Sequence, residues 1–317
     1  MENKRKLGNS ALLVSPLTFG GNVFGWTLNE KESFNILDAF IEHGFNFIDT
    51  ADTYSTWVAG NKGGESETII GNWLRKNGKR TDVVIATKVG GAIGDIKKGL
   101  SAKYIREAAE ASLKRLGTDY IDLYQSHYDD PGTPVSETMA AFNELITAGK
   151  VRYIGASNLS AERIKESNDF ARKNNFAPYI SLQPLYNLYD RQKFENQYLK
   201  LVTEESLAVI PYYSLASGFL TGKYRSEADL GKSLRGKGIK KYLNERGMRI
   251  LAAMDIVAAE QNVHTSQIAI AWLLQKPTVT SAIASSTTAK QLSELVMAAN
   301  FRLTDNQMQV LDRASAL

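Results

Sequence analysis

Eight short apolar runs recur along the chain with helix-patterned segments between them, and no linker interrupts the alternation. The runs are SPLTFGG (15–21), FNFIDT (45–50), DVVIATK (82–88), DYIDLYQSH (119–127), VRYIGAS (151–157), YISLQ (179–183), LAVIPYY (207–213) and TSAIAS (280–285). They are apolar through their length instead of alternating, as strands buried on both faces are. Between them, residues 30–43 follow Asn29, an N-cap with Glu32 three positions on, and stop before Gly44. Residues 102–116 follow Ser101, stop before Gly117 and carry an apolar stripe of Ile105, Ala109, Leu113 and Leu116. Residues 136–148 stop before Gly149, 161–173 follow Ser160, and 266–276 follow Thr265 and stop before Pro277. Strands alternating with helices predict an α/β fold with a parallel sheet. Eight of them in 317 residues fit a closed (β/α)8 barrel, one domain over 1–317, with a doubly wound open sheet as the second reading.

The chain has no cysteine, which excludes disulfide scaffolds, thiolate metal sites and cysteine nucleophiles. Its three histidines, His43, His127 and His264, are far apart, and no HExxH pattern occurs, so no metal site is expected. No apolar run approaches the ~18 residues of a membrane span. The N-terminal MENKRKLGNS is charged with no apolar stretch behind it, and the expected location is the cytoplasm. Lys+Arg number 38 against 34 Asp+Glu, with one denser basic stretch at 232–249. That stretch reads as a solvated loop or one that meets a small phosphate-bearing ligand; no nucleic-acid partner is expected. The segment 217–247, rich in Gly and Lys, interrupts the last strand–helix unit, and long loops of this kind are more often functional than accidental.

In a parallel barrel the active site lies at the C-terminal ends of the strands. Asp49 closes FNFID, Lys88 closes VVIATK and His127 closes IDLYQSH; Ser157 and Asn158 follow VRYIGA, Gln183 closes YISLQ, and Tyr54 lies five residues beyond Asp49. Each alone has a structural explanation, as a cap, a snorkelling lysine or a satisfied histidine. An acid, a lysine and a histidine at successive strand ends on one rim form a chemical set. A tyrosine hydroxyl is a poor acid at neutral pH, and a nearby ammonium favours the phenolate. A carboxylate holds the ammonium in place, and a histidine orients a carbonyl. The set delivers a proton to a carbonyl oxygen, and it lacks a reductant, so a bound hydride carrier is required.

These residues, read with their surroundings, resemble the aldo-keto reductases. The matching stretches are KLGNSALLVSPLTFGG, FIDTADTY (47–54), GESETIIGNWL (64–74), IATK (85–88), SLKRLGTDYIDLYQSHYDDP (112–131), GKVRYIGASN (149–158), QPLYN (183–187), SGFLTGKY (217–224) and YLNERG (242–247), in order along essentially the whole chain. The resemblance implies a barrel closed below by an N-terminal β-hairpin, an extended cofactor-covering loop near 217–247, and a catalytic tetrad of Asp49, Tyr54, Lys88 and His127. Tyr54 would be the general acid, with Lys88, paired to Asp49, lowering its pKa and His127 orienting the carbonyl. It implies a nicotinamide dinucleotide bound without a Rossmann motif, and no GxGxxG occurs; the GKS at 231–233 lacks its upstream glycine and is no P-loop. Ser157, Asn158 and Gln183 would hold the carboxamide, Tyr212 would stack on the nicotinamide, and Gly21 and Asn22 would meet the ribose region. Ser214, Leu215, Ser217 and Lys223 would fold over the pyrophosphate. Ser285, Thr287, Gln291 and Glu294 would grip the adenosine end.

The chain departs from the family where many relatives carry Arg or Lys around 285–287 and it has Ser285, Ser286 and Thr287. Arg235 resembles an arginine that some relatives use for the same 2′-phosphate, and NADPH is favoured over NADH. Tyr213–Ser214–Leu215 stands where many relatives have Ser-Pro-Leu, and Leu295 where Asn is common. Trp26, Trp57 and Tyr128 are the expected substrate walls, suited to aryl or medium apolar aldehydes. The expected partner is a small carbonyl compound, with no membrane contact and the oligomeric state open. Two other readings remain. Potassium-channel β subunits share this fold and cofactor site and act largely by binding, but carry Asn where this chain has His127. A sugar-phosphate barrel enzyme would need phosphate-cradling glycines after its last two strands, and the eighth run is followed instead by Ser285, Ser286, Thr287 and Thr288.

Overall fold

The computed structural model describes residues 4–93 and 99–317. β1 (Arg5–Lys6) and β2 (Leu13–Val14) pair antiparallel as a hairpin. The eight predicted strands follow as β3 (Leu17–Gly20), β4 (Phe47–Asp49), β5 (Val84–Val89), β6 (Ile121–Tyr128), β7 (Val151–Asn158), β8 (Tyr179–Leu182), β9 (Ala208–Val209) and β10 (Ala282–Ala284). They pair in parallel in the order β10-β3-β4-β5-β6-β7-β8-β9. The ring closes where Val209 N donates to Thr278 O (3.2 Å), Thr280 N to Val209 O (2.9 Å) and Ile283 N to Pro211 O (3.0 Å). This is the closed (β/α)8 barrel, and the open doubly wound sheet is excluded.

Both faces of the ring are buried, which is why the runs look uniformly apolar although their side chains alternate. Phe47, Val84, Ala86, Leu123, Ile180, Ala208, Ile210 and Ile283 fill the lower interior, capped by Leu7, Leu12 and Val14 of the hairpin. Ile48, Ile85, Tyr124 and Ile154 face the other way, into the larger core shared with the helices. Arg5 ties the hairpin down by donating to the Leu274 (3.3 Å) and Val279 (3.1 Å) carbonyls. One step along the inward positions, Phe47 gives way to Asp49, Ala86 to Lys88, and Leu123 to Gln125 and His127. The interior therefore changes from apolar to ionisable towards the strand C-termini.

The helices are α1 (Glu30–Glu42), α2 (Glu65–Asn77), α3 (Ala102–Leu116), α4 (Val135–Thr147), α5 (Ala161–Lys173), α6 (Gln192–Gln197), α7 (Leu199–Glu204), α8 (Glu245–Gln261), α9 (Thr265–Leu274), α10 (Ala289–Asn300) and α11 (Asp305–Ser315). The Asn29–Glu32 capping box forms, and Ser101 and Ser160 cap α3 and α5 as predicted. Two details differ. The residue flanking α9 is His264, with Thr265 already helical. The seventh run holds only a two-residue strand, because Pro211 has no N–H to continue the ladder. The segment after β9 is built of 3-10 turns at Ala216–Thr221, Glu227–Lys232 and Gly236–Tyr242. Before and within the first of these, Tyr213, Ala216 and Ser217 take φ of 55°, 47° and 58°. Left-handed backbone at non-glycine residues is strain that clusters at ligand sites.

α2 and α3 approach closely at Gly71, where a Cβ would lie inside the van der Waals surface of the Arg115 carbonyl oxygen and beside Leu116. Gly71→Ala gains helix propensity but must push the helices apart. The expected net result is a loss of about 1–3 kcal/mol, the usual range for overpacking. Urea denaturation checks it: the midpoint falls with the slope unchanged. An unchanged or higher midpoint would show that the helices separate freely.

Candidate active site

At the barrel mouth Lys88 is fully buried and uses all three of its N–H groups. Nζ donates to Asp49 Oδ2 (2.7 Å), to the Thr50 carbonyl (2.7 Å) and to the Tyr54 hydroxyl (3.1 Å). The other Asp49 oxygen, Oδ1, accepts from Gln183 Nε2 (2.8 Å) and Gln125 Nε2 (3.3 Å). A buried ion pair of this kind persists only when its remaining lone pairs and protons are satisfied, and here they are. Because Lys88 donates to the Tyr54 oxygen, the phenolic proton is left to point elsewhere. The Tyr54 ring is wedged edge-on against Trp57 (5.7 Å) and His127 (6.2 Å).

Burial, and next the Asp49 charge, push the Tyr54 pKa well above 10, a direction opposite to the lowering expected from Lys88 alone. Burial likewise pulls Lys88 down, opposed by Asp49. Tyr54 is therefore a phenol at neutral pH, which is the state a proton donor needs. Lys88 Nζ is placed to favour the phenolate only as it forms. Burial, then the Lys88 charge, hold His127 well below 6.5, so its imidazole is neutral. Its Nδ1 is buried with no partner among the described residues. The protein thus does not fix the tautomer, and a substrate oxygen can select the ring that donates.

Asn158 Nδ2 donates to the His127 carbonyl (2.9 Å) and to Ser157 Oγ (3.0 Å), while its Oδ1 accepts from the Tyr212 hydroxyl (2.9 Å). Ser157 Oγ donates to the Gln183 carbonyl (2.9 Å). The predicted carboxamide group is thus one network, and through Gln183 it is tied to Asp49. Neither Gln125 nor Thr50 was singled out from sequence. Gln125 carried a signal all the same, since it sits two residues before His127 on the same inward face.

The tetrad opens into a cavity of about 1900 Å³, beyond the ~300–1,000 Å³ of ordinary small-ligand pockets. Its walls include the aromatic side chains of Tyr54, Trp26, Trp57 and Tyr128, the largely polar set Ser157, Asn158, Gln183, Tyr212, Ser214, Leu215, Ser217 and Lys223, and Ser285, Thr287, Gln291, Glu294 and Leu295. Gly20 and Asn22 also line it, but Gly21 does not: its carbonyl turns back to accept from Ser66 Oγ (2.8 Å). Thr287, Thr288 and Lys290 bring the N-terminus of α10, capped by Thr288, to the cavity wall, where free backbone N–H groups favour an anion. Lys223, Arg235 and Lys290 face the same cavity, and the sequence had not pointed to Lys290. Asn22 donates to Ser285 Oγ (2.8 Å) and accepts from Arg235 Nη2 (3.0 Å). A cavity of this size, walled by a side-chain amide network and by Lys223, Arg235, Lys290 and a helix N-terminus, has room and donors for a dinucleotide.

A (β/α)8 barrel with the Lys88–Asp49 pair, Tyr54 and His127 at its mouth and a cavity of this size beside them is the frame of an oxidoreductase. The aldo/keto reductase family model matches residues 16–316, and the chain belongs to that family. It is similar to a "Probable voltage-gated potassium channel subunit beta" of Arabidopsis thaliana, 38% identical over 92% of this chain and 89% of the relative. It is also similar to "Uncharacterized oxidoreductase YrpG" of Bacillus subtilis, 34% identical over 96% of this chain and 94% of the relative. "Protein tas" of Escherichia coli is 30% identical over 97% of this chain and 96% of its own length. The protein is accordingly an NAD(P)H-dependent enzyme. No helix among the described residues is long and apolar enough to cross a membrane.

Proposed function

We propose that the protein reduces aldehydes and ketones to alcohols with NADPH, Tyr54 serving as general acid. The observation that carries this is the Lys88 ammonium joined at once to Asp49, the Thr50 carbonyl and the Tyr54 oxygen. The cofactor, when bound, supplies hydride to the carbonyl carbon. Tyr54 gives its proton to the carbonyl oxygen, and Lys88 stabilises the phenolate that remains. Asp49, held by Gln183 and Gln125, keeps the ammonium in place, and neutral His127 orients the oxygen. Ser157, Asn158 and Gln183 hold the carboxamide, and Tyr212, its hydroxyl fixed on Asn158, presents a ring to the nicotinamide. Trp26, Trp57 and Tyr128 give aromatic walls suited to aryl aldehydes.

NADPH is favoured because Arg235, Lys290 and the α10 N-terminus face the groove and stand in for the arginine many relatives have near 285–287. The hydroxyls there are partly committed: Ser285 Oγ donates to the Gly20 carbonyl (2.7 Å), and Thr287 Oγ1 to Gln291 Oε1 (3.2 Å). Charge-assisted contacts to the extra phosphate are worth about 1.5–3 kcal/mol each, so KM for NADPH is expected to lie about tenfold or more below that for NADH. Loss of nicotinamide absorbance with para-nitrobenzaldehyde and a small aldehyde panel, run with both cofactors, tests this. No turnover of any aldehyde by a protein that binds cofactor tightly would sink the reductase reading. It would favour a cofactor-binding regulatory subunit, the reading that the potassium-channel β relatives support and that His127 in the mouth opposes.

A further inference from the structure

One side chain touches both the aromatic wall of the cavity and the Asn22–Ser285 edge. Arg235 sits where the second and third 3-10 turns of the long loop join, and its backbone is fixed from below. The Tyr224 hydroxyl pairs with Ser233 Oγ (2.6 Å), which in turn accepts from Arg235 N (3.2 Å). From there the guanidinium reaches across the groove. Nη2 donates to Asn22 Oδ1 (3.0 Å), and the guanidinium carbon lies over the Trp26 ring, 5.1 Å from its centre. Trp26 stands edge-on to Trp57 (5.7 Å), and Trp57 edge-on to Tyr54 (5.7 Å).

Arg235 is half-buried, and among the described residues its side chain makes no ion pair with a carboxylate. A half-buried guanidinium that faces a cavity, and whose partners among the described residues are an aromatic face and an amide oxygen, has room for a stronger partner. A phosphate offers two parallel charge-assisted hydrogen bonds, which an indole face cannot match. The same side chain cannot serve both at full strength.

We propose that Arg235 is a positioning residue that couples cofactor identity to substrate selection: it braces Trp26 against Trp57 when no 2′-phosphate is in the groove, and lets Trp26 move when one is. This rests on the reading that the cofactor lies along the groove. With NADH, Trp26 stays clamped and the pocket favours small aldehydes. With NADPH, Arg235 turns to the phosphate, the Trp26 wall loosens, and bulky aryl aldehydes enter. Lysine at this position would keep the charge but lose the planar stack and the bidentate fork.

The test compares KM for 2-naphthaldehyde and for benzaldehyde with each cofactor in the wild type, Arg235→Met, Arg235→Lys and Trp26→Leu. The expected ratio of the two KM values changes about two- to fivefold between NADH and NADPH in the wild type, the size of an exposed cation–π contact. The change disappears in Arg235→Met and Trp26→Leu and is not rescued by Arg235→Lys. A second readout needs no turnover: tryptophan fluorescence saturates at different levels with NADP⁺ and NAD⁺ in the wild type, and at one level in Trp26→Leu. A cofactor-independent KM ratio in the wild type, or a ratio change that survives in Trp26→Leu, overturns the coupling and leaves the reductase reading standing. Absence of both turnover and any fluorescence response to either cofactor overturns both.

Discussion

Tyr54→Phe lowers kcat for aldehyde reduction by about 10²–10⁴-fold, the range that a positioned general acid supplies, while cofactor affinity stays within a few-fold of the wild type. The ring of Phe keeps the edge contacts with Trp57 and His127 (5.7 and 6.2 Å). What is lost is the proton and the oxygen that accepts from Lys88. Lys88 retains Asp49 and the Thr50 carbonyl, so the stability cost is that of one unsatisfied donor, about 1–3 kcal/mol. A variant that binds cofactor, melts close to the wild type and does not turn over is the expected pattern. Because Tyr54 stays a phenol and His127 a neutral imidazole, the wild-type profile of kcat/KM should be flat from about pH 6 to 8 and fall only on the alkaline side. Activity of Tyr54→Phe within tenfold of the wild type would assign proton delivery to another group, His127 first.

Lys88→Met combines a loss of rate with a large loss of stability. The side chain is fully buried, and its removal leaves Asp49 facing only the amides of Gln183 and Gln125. Breaking one partner of a buried pair costs about 3–5 kcal/mol, because the other charge stays desolvated. Replacing both, as Asp49→Leu with Lys88→Met, removes that orphan charge, so the double variant should recover part of the melting temperature and none of the activity. Calorimetry of the two variants decides it. If the double variant is less stable than Lys88→Met alone, the pair is a net source of stability, and the desolvation account fails.

The barrel was legible in the sequence because two-sided burial leaves its mark on every strand, and Asn29, Ser101 and Ser160 mark helix starts locally. Helices α2, α6, α7, α8, α10 and α11 were not marked from propensity alone. Asp49, Lys88 and His127 were legible for a similar reason: an ionisable residue ending an apolar strand lies at the rim of any parallel barrel. Trp26 and Tyr212 needed the family resemblance.

The order of residues was enough to show which side chains stand at the strand ends and that an acid, a lysine and a histidine meet there. Only the tertiary structure decided how those residues are tuned. The Gln183 and Gln125 amides on Asp49, the three filled donors of Lys88 and the contact of Arg235 with Trp26 join segments far apart in the chain. The direction of the Tyr54 pKa turned on burial, which is a property of the closed mouth. Residue type sets what a group can donate or accept, while desolvation and distance set which form it takes, and both depend on what the fold places around it.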